Sequence, residues 1–242
     1  DLSREAFYQK LRVCSELPTT VQITPEEYLP YFKKYTENGD EIFATFISSK
    51  MSGTFQSAMI ARDMLGQAGK QIYLLDSGTV TAGLGALVWQ AIRYRDAGMS
   101  AGEIYERLES AKRRLVVYGI IDNLKYLYMG GRLGATQKVM GSLLGIKPLI
   151  DVRDGVIHTI GKARSMAKAY AFLAALIRQR PIDEDMALCF GHTDAPEMMK
   201  EFIAFFQKEF PSLPAYQVLS IGSTVGTHTG PNCGAICFFE KE

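Results

Sequence analysis

A run of hydroxyl-bearing residues occupies positions 48–54 (SSKMSGT), between a predicted buried strand and a predicted amphipathic helix. Its hydroxyls and free backbone N–H groups therefore meet at a helix N-terminus, which attracts anions. Ser52 can donate from its hydroxyl, and Gly53 lets a ligand approach the backbone. The GxxxxGK[ST] spacing of a nucleotide loop is absent, so the run favours a carboxylate or a single phosphate. The alternative is that these residues only cap the helix and turn the chain.

A second run, residues 226–231 (GTHTGP), places a histidine between two glycines amid hydroxyls. The pattern predicts a turn between two strands. His228 can donate a hydrogen bond to an anion or assist proton transfer, because its unperturbed pKa is about 6.5. The alternative is an exposed imidazole in a tight turn. His158 and His192, in or beside predicted strands, are interpreted as structural.

Two arginines are predicted near helix starts, Arg132 after a glycine pair and Arg164 before a serine. The guanidinium group suits bidentate contact with a carboxylate or a phosphate. The alternative for each is a solvated surface side chain. Residues 112–114 (KRR) are interpreted as the cationic end of a helix.

Composition excludes several classes of function. The chain has 242 residues, of which 47% are hydrophobic, and its 27 basic side chains nearly balance 26 acidic ones. This balance argues against nucleic-acid binding and against more than transient membrane contact. The three histidines show no metal-ligand spacing, so neither a metal nor another cofactor is expected.

The cysteines and the hydropathy indicate the compartment. Four cysteines are scattered, and the closest pair, Cys233 and Cys237, lies on a predicted strand, where residues four apart are roughly 13 Å from each other. Buried thiols are therefore expected. No apolar stretch reaches the roughly 20 residues that a bilayer requires. We expect a soluble cytoplasmic protein.

Strand and helix patterns alternate in the first half of the chain, which is typical of a parallel sheet with crossover helices. Strands are predicted at residues 42–48, 71–75, 115–121, 187–190, 216–221 and 234–240, with a hairpin over 148–160 that turns at Asp154 and Gly155. Helices are predicted at residues 53–65, 83–95, 101–112, 165–178 and 195–210. In parallel sheets ligands bind beyond the carboxyl ends of the strands, so the loops 48–54 and 76–81 are the expected site.

The prediction is an α/β fold with two domains, residues 1–112 with a mostly parallel sheet and residues 113–242 with a mixed or antiparallel sheet. Several runs together resemble the DegV family. They are residues 17–22 (LPTTVQ), 48–58 (SSKMSGTFQSA), 75–77 (LDS), 83–85 (GLG), 130–133 (GGRL), 147–150 (KPLI), 161–165 (GKARS) and 226–231 (GTHTGP).

The resemblance implies a long-chain fatty acid in an apolar tunnel between the two domains. Its carboxylate would accept hydrogen bonds from Thr20, Ser52 and His228, with the backbone of Gly53 nearby and Arg132 as a fourth ligand. The family's Thr-Ser-Gln run appears here with Val21 in place of serine. Family members also begin with a strand that ends in Thr-Asp-Ser, so the resemblance implies that the first strand of the sheet is missing here.

The resemblance further implies a carrier rather than an enzyme. A separate ATP-dependent kinase would phosphorylate the bound fatty acid, and Arg164 would contact that partner or the acyl phosphate. Two alternatives stay open. One is an esterase with Ser52 as nucleophile and His228 as base, although no GxSxG motif is present. The other is a binding module for a small phosphorylated metabolite, which a short polar cavity between the domains would favour.

Overall fold

The computed structural model describes residues 2–133 and 145–242, which form an α/β fold with two sheets. The α-helices are α1 Arg4–Val13, α2 Pro25–Thr36, α3 Thr54–Met64, α4 Ala82–Asp96, α5 Ala101–Ala111, α6 Lys125–Met129, α7 Met166–Arg178, α8 Pro196–Glu209 and α9 Ser223–Thr229. The strands are β1 Ile42–Phe46, β2 Ile72–Asp76, β3 Leu115–Ile120, β4 Lys147–Arg153, β5 Val156–Ala163, β6 Leu188–Thr193, β7 Tyr216–Ser220 and β8 Cys233–Phe239. Short 3₁₀ turns span Ala68–Gln71 and Lys112–Arg114.

The first sheet is the parallel pair β1–β2, as the alternating pattern predicts. Helix α2, which the pattern analysis omitted, packs against α3 and places Phe32 in a core with Phe46. Its start has a clear signal, because Pro25 occupies the first turn and the Glu27 carboxylate accepts from the backbone N–H of Thr24 at 2.8 Å. The internal Pro30 obscures the helical pattern that follows.

The second sheet has six strands in the order β5-β4-β3-β8-β6-β7. Its pairs are antiparallel except for β6–β7, so the prediction of a mixed sheet is confirmed. The predicted hairpin is β4–β5, and its turn residues Asp154 and Gly155 have φ angles of 52° and 77°. Two successive positive φ angles match the right-handed twist of the strands.

Helix α4 lies between the two sheets and contacts β1, β3, β6 and β8. Glycines let it approach closely. A Cβ at Gly83 would lie 2.8 Å from Val117 Cγ2, and one at Gly85 would lie 2.4 Å from Leu219 Cδ1. A larger residue at either position would require these side chains or the helix to shift.

The division of the chain at 112/113 stays a prediction. Strand β3, the first of the six-stranded sheet, begins just after it. Helix α1, however, comes from the start of the chain and packs against α9 near its end.

The prediction of a turn at residues 226–231 is wrong in its first part, because His228 lies in the last turn of helix α9. Glycine is unfavourable in helices, which is why the pattern reads as a turn. Here Gly226 is required by packing, since a Cβ there would lie 2.4 Å from the hydroxyl of Tyr8. Gly230, with a φ of 74°, ends the helix.

Three of the four cysteines, Cys189, Cys233 and Cys237, are buried thiols, and Cys14 is partly exposed. Burial raises the pKa of Cys233 to about 11. Within the described residues, no helix has the length and apolar character needed to cross a membrane.

Candidate functional site

A polar contact between distant parts of the chain joins Thr20 to His228. Thr20 Oγ1 lies 2.8 Å from His228 Nε2, although the two residues are 208 positions apart. Thr20 lies in the irregular segment between α1 and α2. The contact therefore ties this segment to helix α9, and either atom can donate according to the imidazole tautomer.

The other ring nitrogen of His228 is buried and has no hydrogen-bond partner among the described residues. It packs on Gly130, where a Cβ would lie only 2.3 Å from Nδ1. Burial lowers the pKa of His228 below its ordinary value of 6.5, and the nearby Arg132 lowers that pKa further. The neutral form of the imidazole is therefore favoured at pH 7.

Arg132 joins two parts of the site. Its Nη1 donates to the carbonyl of Gly130 at 2.6 Å, and its Nε donates to the carbonyl of Met51 at 3.3 Å. These bonds connect the end of α6 to the loop just before Ser52. Arg132 follows the end of α6, and the helix start predicted after it falls in residues 134–144, outside the described residues.

Ser52 lies at the start of α3, as predicted. Its Oγ lies 2.9 Å from Thr54 Oγ1 and accepts from the Thr54 backbone N–H at 3.3 Å. The N-cap of α3 is Gly53, and Ser52, one residue earlier, is only partly buried, so its hydroxyl is within reach of solvent. Both the ligand contact of Ser52 and the alternative that the run only caps the helix stay predictions.

Gly53 is covered by Gln22. A Cβ at Gly53 would lie 1.8 Å from Gln22 Oε1, so the amide rests directly on the glycine. Gln22 Nε2 also donates to Ser57 Oγ, at 3.3 Å. Gln22 thereby fixes the segment that carries Thr20 to the start of α3.

These contacts bring together all five residues predicted to bind the ligand. We call them the Thr20–His228 cluster: Thr20, Ser52, Gly53, Arg132 and His228. Arg164 lies apart from it, exposed just before α7, where Ser165 caps the helix by accepting from the Lys168 N–H at 3.3 Å. Contact of Arg164 with a partner or with an acyl phosphate stays a prediction.

Apolar side chains adjoin the Thr20–His228 cluster. The buried side chains of Met51 and Leu127, and the partly buried ones of Leu133 and Val225, belong to one hydrophobic core that also covers α4 and the inner face of the larger sheet. The polar atoms of the cluster therefore lie at the border of an apolar region.

A polar cleft of about 510 Å³ adjoins the loop of residues 48–54. Polar and charged residues line most of it, including Ser48, Ser49, Lys50, Asp76, Ser77, Thr79, Lys112, Arg113, Asp151, Arg153, Asp154 and Arg180. Several of its polar groups are paired within the protein, as in the ion pair of Arg153 Nε with Asp151 Oδ2 at 2.6 Å, whereas the buried Thr79 Oγ1 has no described partner. Burial raises the pKa of Asp151, and Arg153 partly opposes that rise. Asp151 Oδ1 has no described partner.

Sequence reasoning missed Gln22, Gly130 and Asp151. The first two lie inside the runs LPTTVQ and GGRL, which carry the family resemblance, but their types suggested no role. Asp151 had no local signal, because strand position alone does not reveal an unpaired carboxylate oxygen. Among the described residues, no group of His, Cys, Asp and Glu could hold a metal ion.

Comparisons with known proteins agree with one another. A family model described as "Uncharacterised protein, DegV family" matches residues 1–241. A DegV domain-containing protein of Caldanaerobacter subterraneus subsp. tengcongensis is 34% identical over 100% of this chain and 85% of its own length. Two solved structures superpose with 100% of this chain and 85% of theirs covered. They are DegV, a fatty acid binding protein from Bacillus subtilis (27% identical, TM-score 0.82), and a DegV family protein from Thermus thermophilus described for its fatty acid binding (25%, TM-score 0.87). The chain therefore belongs to the DegV family.

Proposed function

We propose that this protein is a carrier that binds a long-chain fatty acid, with the carboxylate at the Thr20–His228 cluster and the acyl chain along the adjoining apolar core. The observation that carries the proposal is the neutral, half-buried His228, hydrogen-bonded to Thr20 at the border of that core. The fatty acid binding described for the Bacillus subtilis and Thermus thermophilus relatives supports it.

The donors suit a carboxylate. Thr20, Ser52 and the backbone N–H groups at the start of α3 can each donate, and Arg132 supplies one positive charge nearby. Hydroxyl and imidazole donors satisfy an anion with less desolvation cost than a set of buried charged side chains. Because His228 Nε2 already meets Thr20, one proton shift in this pair decides which of them donates to the ligand.

The apolar neighbours suit an acyl chain. At about 0.8 kcal/mol per methylene, burial of a sixteen-carbon chain contributes on the order of 10 kcal/mol before ordering costs. The acyl chain thus supplies most of the affinity, and the cluster fixes the orientation of the carboxylate.

The carrier would present the carboxylate to a separate ATP-dependent kinase in a reducing cytoplasm, where its thiols stay unpaired. Arg164 is exposed and independent of the cluster, so it is available to a partner. Arg164→Ala should leave the dissociation constant for palmitate unchanged and slow phosphorylation of the bound fatty acid by a fatty acid kinase. Equal rates for both proteins would remove Arg164 from the partner contact.

The test of the carrier is mass spectrometry of an organic extract from the purified protein. One fatty acid per chain is expected, with about ten-fold weaker retention by Ser52→Ala, which loses one hydroxyl donor. Ser49→Ala is the matched control, since Ser49 lies in the same loop and bonds Asp76 instead. Equal retention by both variants would contradict the assignment of Ser52.

The geometry does not favour the esterase alternative. The described hydrogen bonds pair Ser52 with Thr54 and His228 with Thr20, so no nucleophile–base bond links Ser52 to His228. Turnover of p-nitrophenyl esters that is lost in Ser52→Ala would revive this alternative.

The polar cleft gives the metabolite alternative one specific observation, because it is large, polar and lined by several cations. A small phosphorylated metabolite bound there would lose affinity in Arg113→Ala. Palmitate binding should not change in this variant.

A further inference from the structure

The segment of residues 15–23, between α1 and α2, is attached to the protein in an unusual way. It forms no backbone–backbone hydrogen bond with the described residues. Its flanking helices are firmly anchored. The buried Tyr8 of α1 donates to the carbonyl of Ile221 at 2.9 Å, and the buried Phe32 of α2 lies in the core against the small sheet.

Two side-chain hydrogen bonds to other described residues hold the segment itself. Thr20 meets His228 at 2.8 Å, and Gln22 donates to Ser57 at 3.3 Å. Ser57 is 2% exposed and belongs to α3, so Gln22 reaches a fixed point of the fold. Val21 between them is 93% exposed. Thr20 and Gln22, two residues apart, thus both contact the protein, although Gln22 itself remains exposed.

The amide of Gln22 packs directly on Gly53. A Cβ at this position would overlap the amide, with Oε1 at 1.8 Å and the amide carbon at 2.7 Å. The backbone of Gly53, with a φ of −73°, would accept alanine without strain. The absence of a side chain at Gly53 therefore serves the contact with Gln22 and not the backbone conformation.

We propose that Gln22 is a positioning residue that latches segment 15–23 over the Thr20–His228 cluster, so that release of Gln22 lifts Thr20 from His228 and opens the carboxylate to exchange. This inference rests on the proposed function. A single neutral hydrogen bond is a weak latch, which suits a segment that must open for the ligand to leave.

The kinetic test is stopped-flow dissociation of a fluorescent fatty acid from the intact chain. Gln22→Ala should raise the dissociation rate constant about five-fold, the factor expected for one lost neutral hydrogen bond. Gln56→Ala is the matched control, since Gln56 is an exposed glutamine on the same helix α3. Gln22→Met keeps the length without the hydrogen bond and should dissociate at nearly the rate of Gln22→Ala.

A double-mutant cycle tests the contact between Gly53 and Gln22. Gly53→Ala should displace the amide of Gln22 and raise the dissociation rate as Gln22→Ala does. In the Gln22→Ala background, Gly53→Ala should add nothing further. If its effect is the same in both backgrounds, Gly53 acts without Gln22 and the latch is wrong.

A readout without ligand separates this inference from the proposed function. A nitroxide on Val21→Cys, in a Cys14→Ser background, should become more mobile by electron paramagnetic resonance when Gln22 is replaced by alanine. If the label responds but no fatty acid binds, the latch stands and the proposed function fails. If fatty acid binds but neither the label nor the dissociation rate responds, the latch is overturned.

Discussion

The Thr20–His228 cluster and the polar cleft adjoin successive parts of one loop, yet they differ in the number of charged side chains and in their apolar border. In the cleft, Ser48 donates to the carbonyl of Gly155 at 2.7 Å, and Ser49 donates to the Asp76 carboxylate at 2.5 Å. Each site has buried polar atoms without a described partner, Asp151 Oδ1 and Thr79 Oγ1 in the cleft and His228 Nδ1 in the cluster, where the described hydrogen bonds of Arg132 use two of its three nitrogens.

The difference teaches that charge and volume do not by themselves identify a ligand site. The cleft has more charged side chains, but its serines and carboxylates largely hold the loop to β2 and to the β4–β5 turn. The cluster has one cation, several uncharged donors and an apolar border. A fatty acid needs the second combination, because its affinity comes mainly from its acyl chain.

The largest expected contrast is in binding. His228→Ala removes the imidazole and leaves Thr20 without its partner, so the carboxylate would be buried with fewer donors. We expect about 100-fold weaker binding of palmitate, the upper range for hydrogen bonds to a charged group. Arg113→Ala, in the cleft, should change it less than about two-fold. Isothermal titration calorimetry measures both, and a larger loss in Arg113→Ala would reverse the comparison.

Two glycines allow a matched test of stability against binding. Gly130→Ala would place a Cβ 2.3 Å from His228 Nδ1, and Gly155→Ala would place one 2.6 Å from Ser48 Oγ, at a φ of 77°. Each should lower the free energy of unfolding by about 1–3 kcal/mol, from overpacking at Gly130 and from strain with overpacking at Gly155. Only Gly130→Ala should also weaken palmitate binding. Chemical denaturation with calorimetry distinguishes the two effects.

Removal of one cation should change the titration of His228. Arg132 lowers the pKa of His228, so Arg132→Met should raise that pKa in the ligand-free protein. Palmitate binding should weaken by about ten-fold, because a charged donor is lost. NMR titration of the histidine ring protons reads the pKa. Arg113→Met should leave the pKa of His228 unchanged. An equal shift of that pKa in Arg113→Met would mean that the cleft and the cluster share one electrostatic environment.

The smallest effects are on the pH dependence of stability, and they have opposite signs. The folded-state pKa of His228 lies below 6.5, so the unfolded chain binds a proton more readily and stability is lost as pH falls below about 6.5. The folded-state pKa of Asp151 is raised, so its contribution is complete below its ordinary value of 3.8 and is lost as pH rises through the raised pKa.

Unfolding titrations at several pH values test these signs. His228→Asn should flatten the loss of stability between about pH 7 and pH 5, by less than about 1.4 kcal/mol per pH unit for one proton. Asp151→Asn should instead remove the contribution that is lost as pH rises above 3.8. An unaltered slope in His228→Asn would contradict the assigned shift of His228.

Much of the fold was predictable from the sequence because its strands and long helices carry regular apolar spacing. The β4–β5 hairpin follows from Asp154 and Gly155, and α4 follows from its apolar pattern. Helix α9 was not predictable, since its two internal hydroxyl residues and Gly226 resemble a turn. Tertiary contact with Tyr8 overrides that local preference.

The members of the site were predictable only through the family resemblance. Local chemistry marked Ser52 and His228, but nothing near Thr20 in the sequence indicates that it meets a histidine 208 positions away. The roles of Gln22 and Gly130 depend on what their atoms touch across the fold, which neither spacing nor composition records.

The most direct test of the account is NMR of palmitate labelled with ¹³C at its carboxyl carbon. The account predicts one bound carboxyl resonance that shifts in Ser52→Ala and in Thr20→Val and stays in place in Ser49→Ala. A resonance that moves in Ser49→Ala or Arg113→Ala, and not in Ser52→Ala, would place the carboxylate in the polar cleft and contradict the central claim.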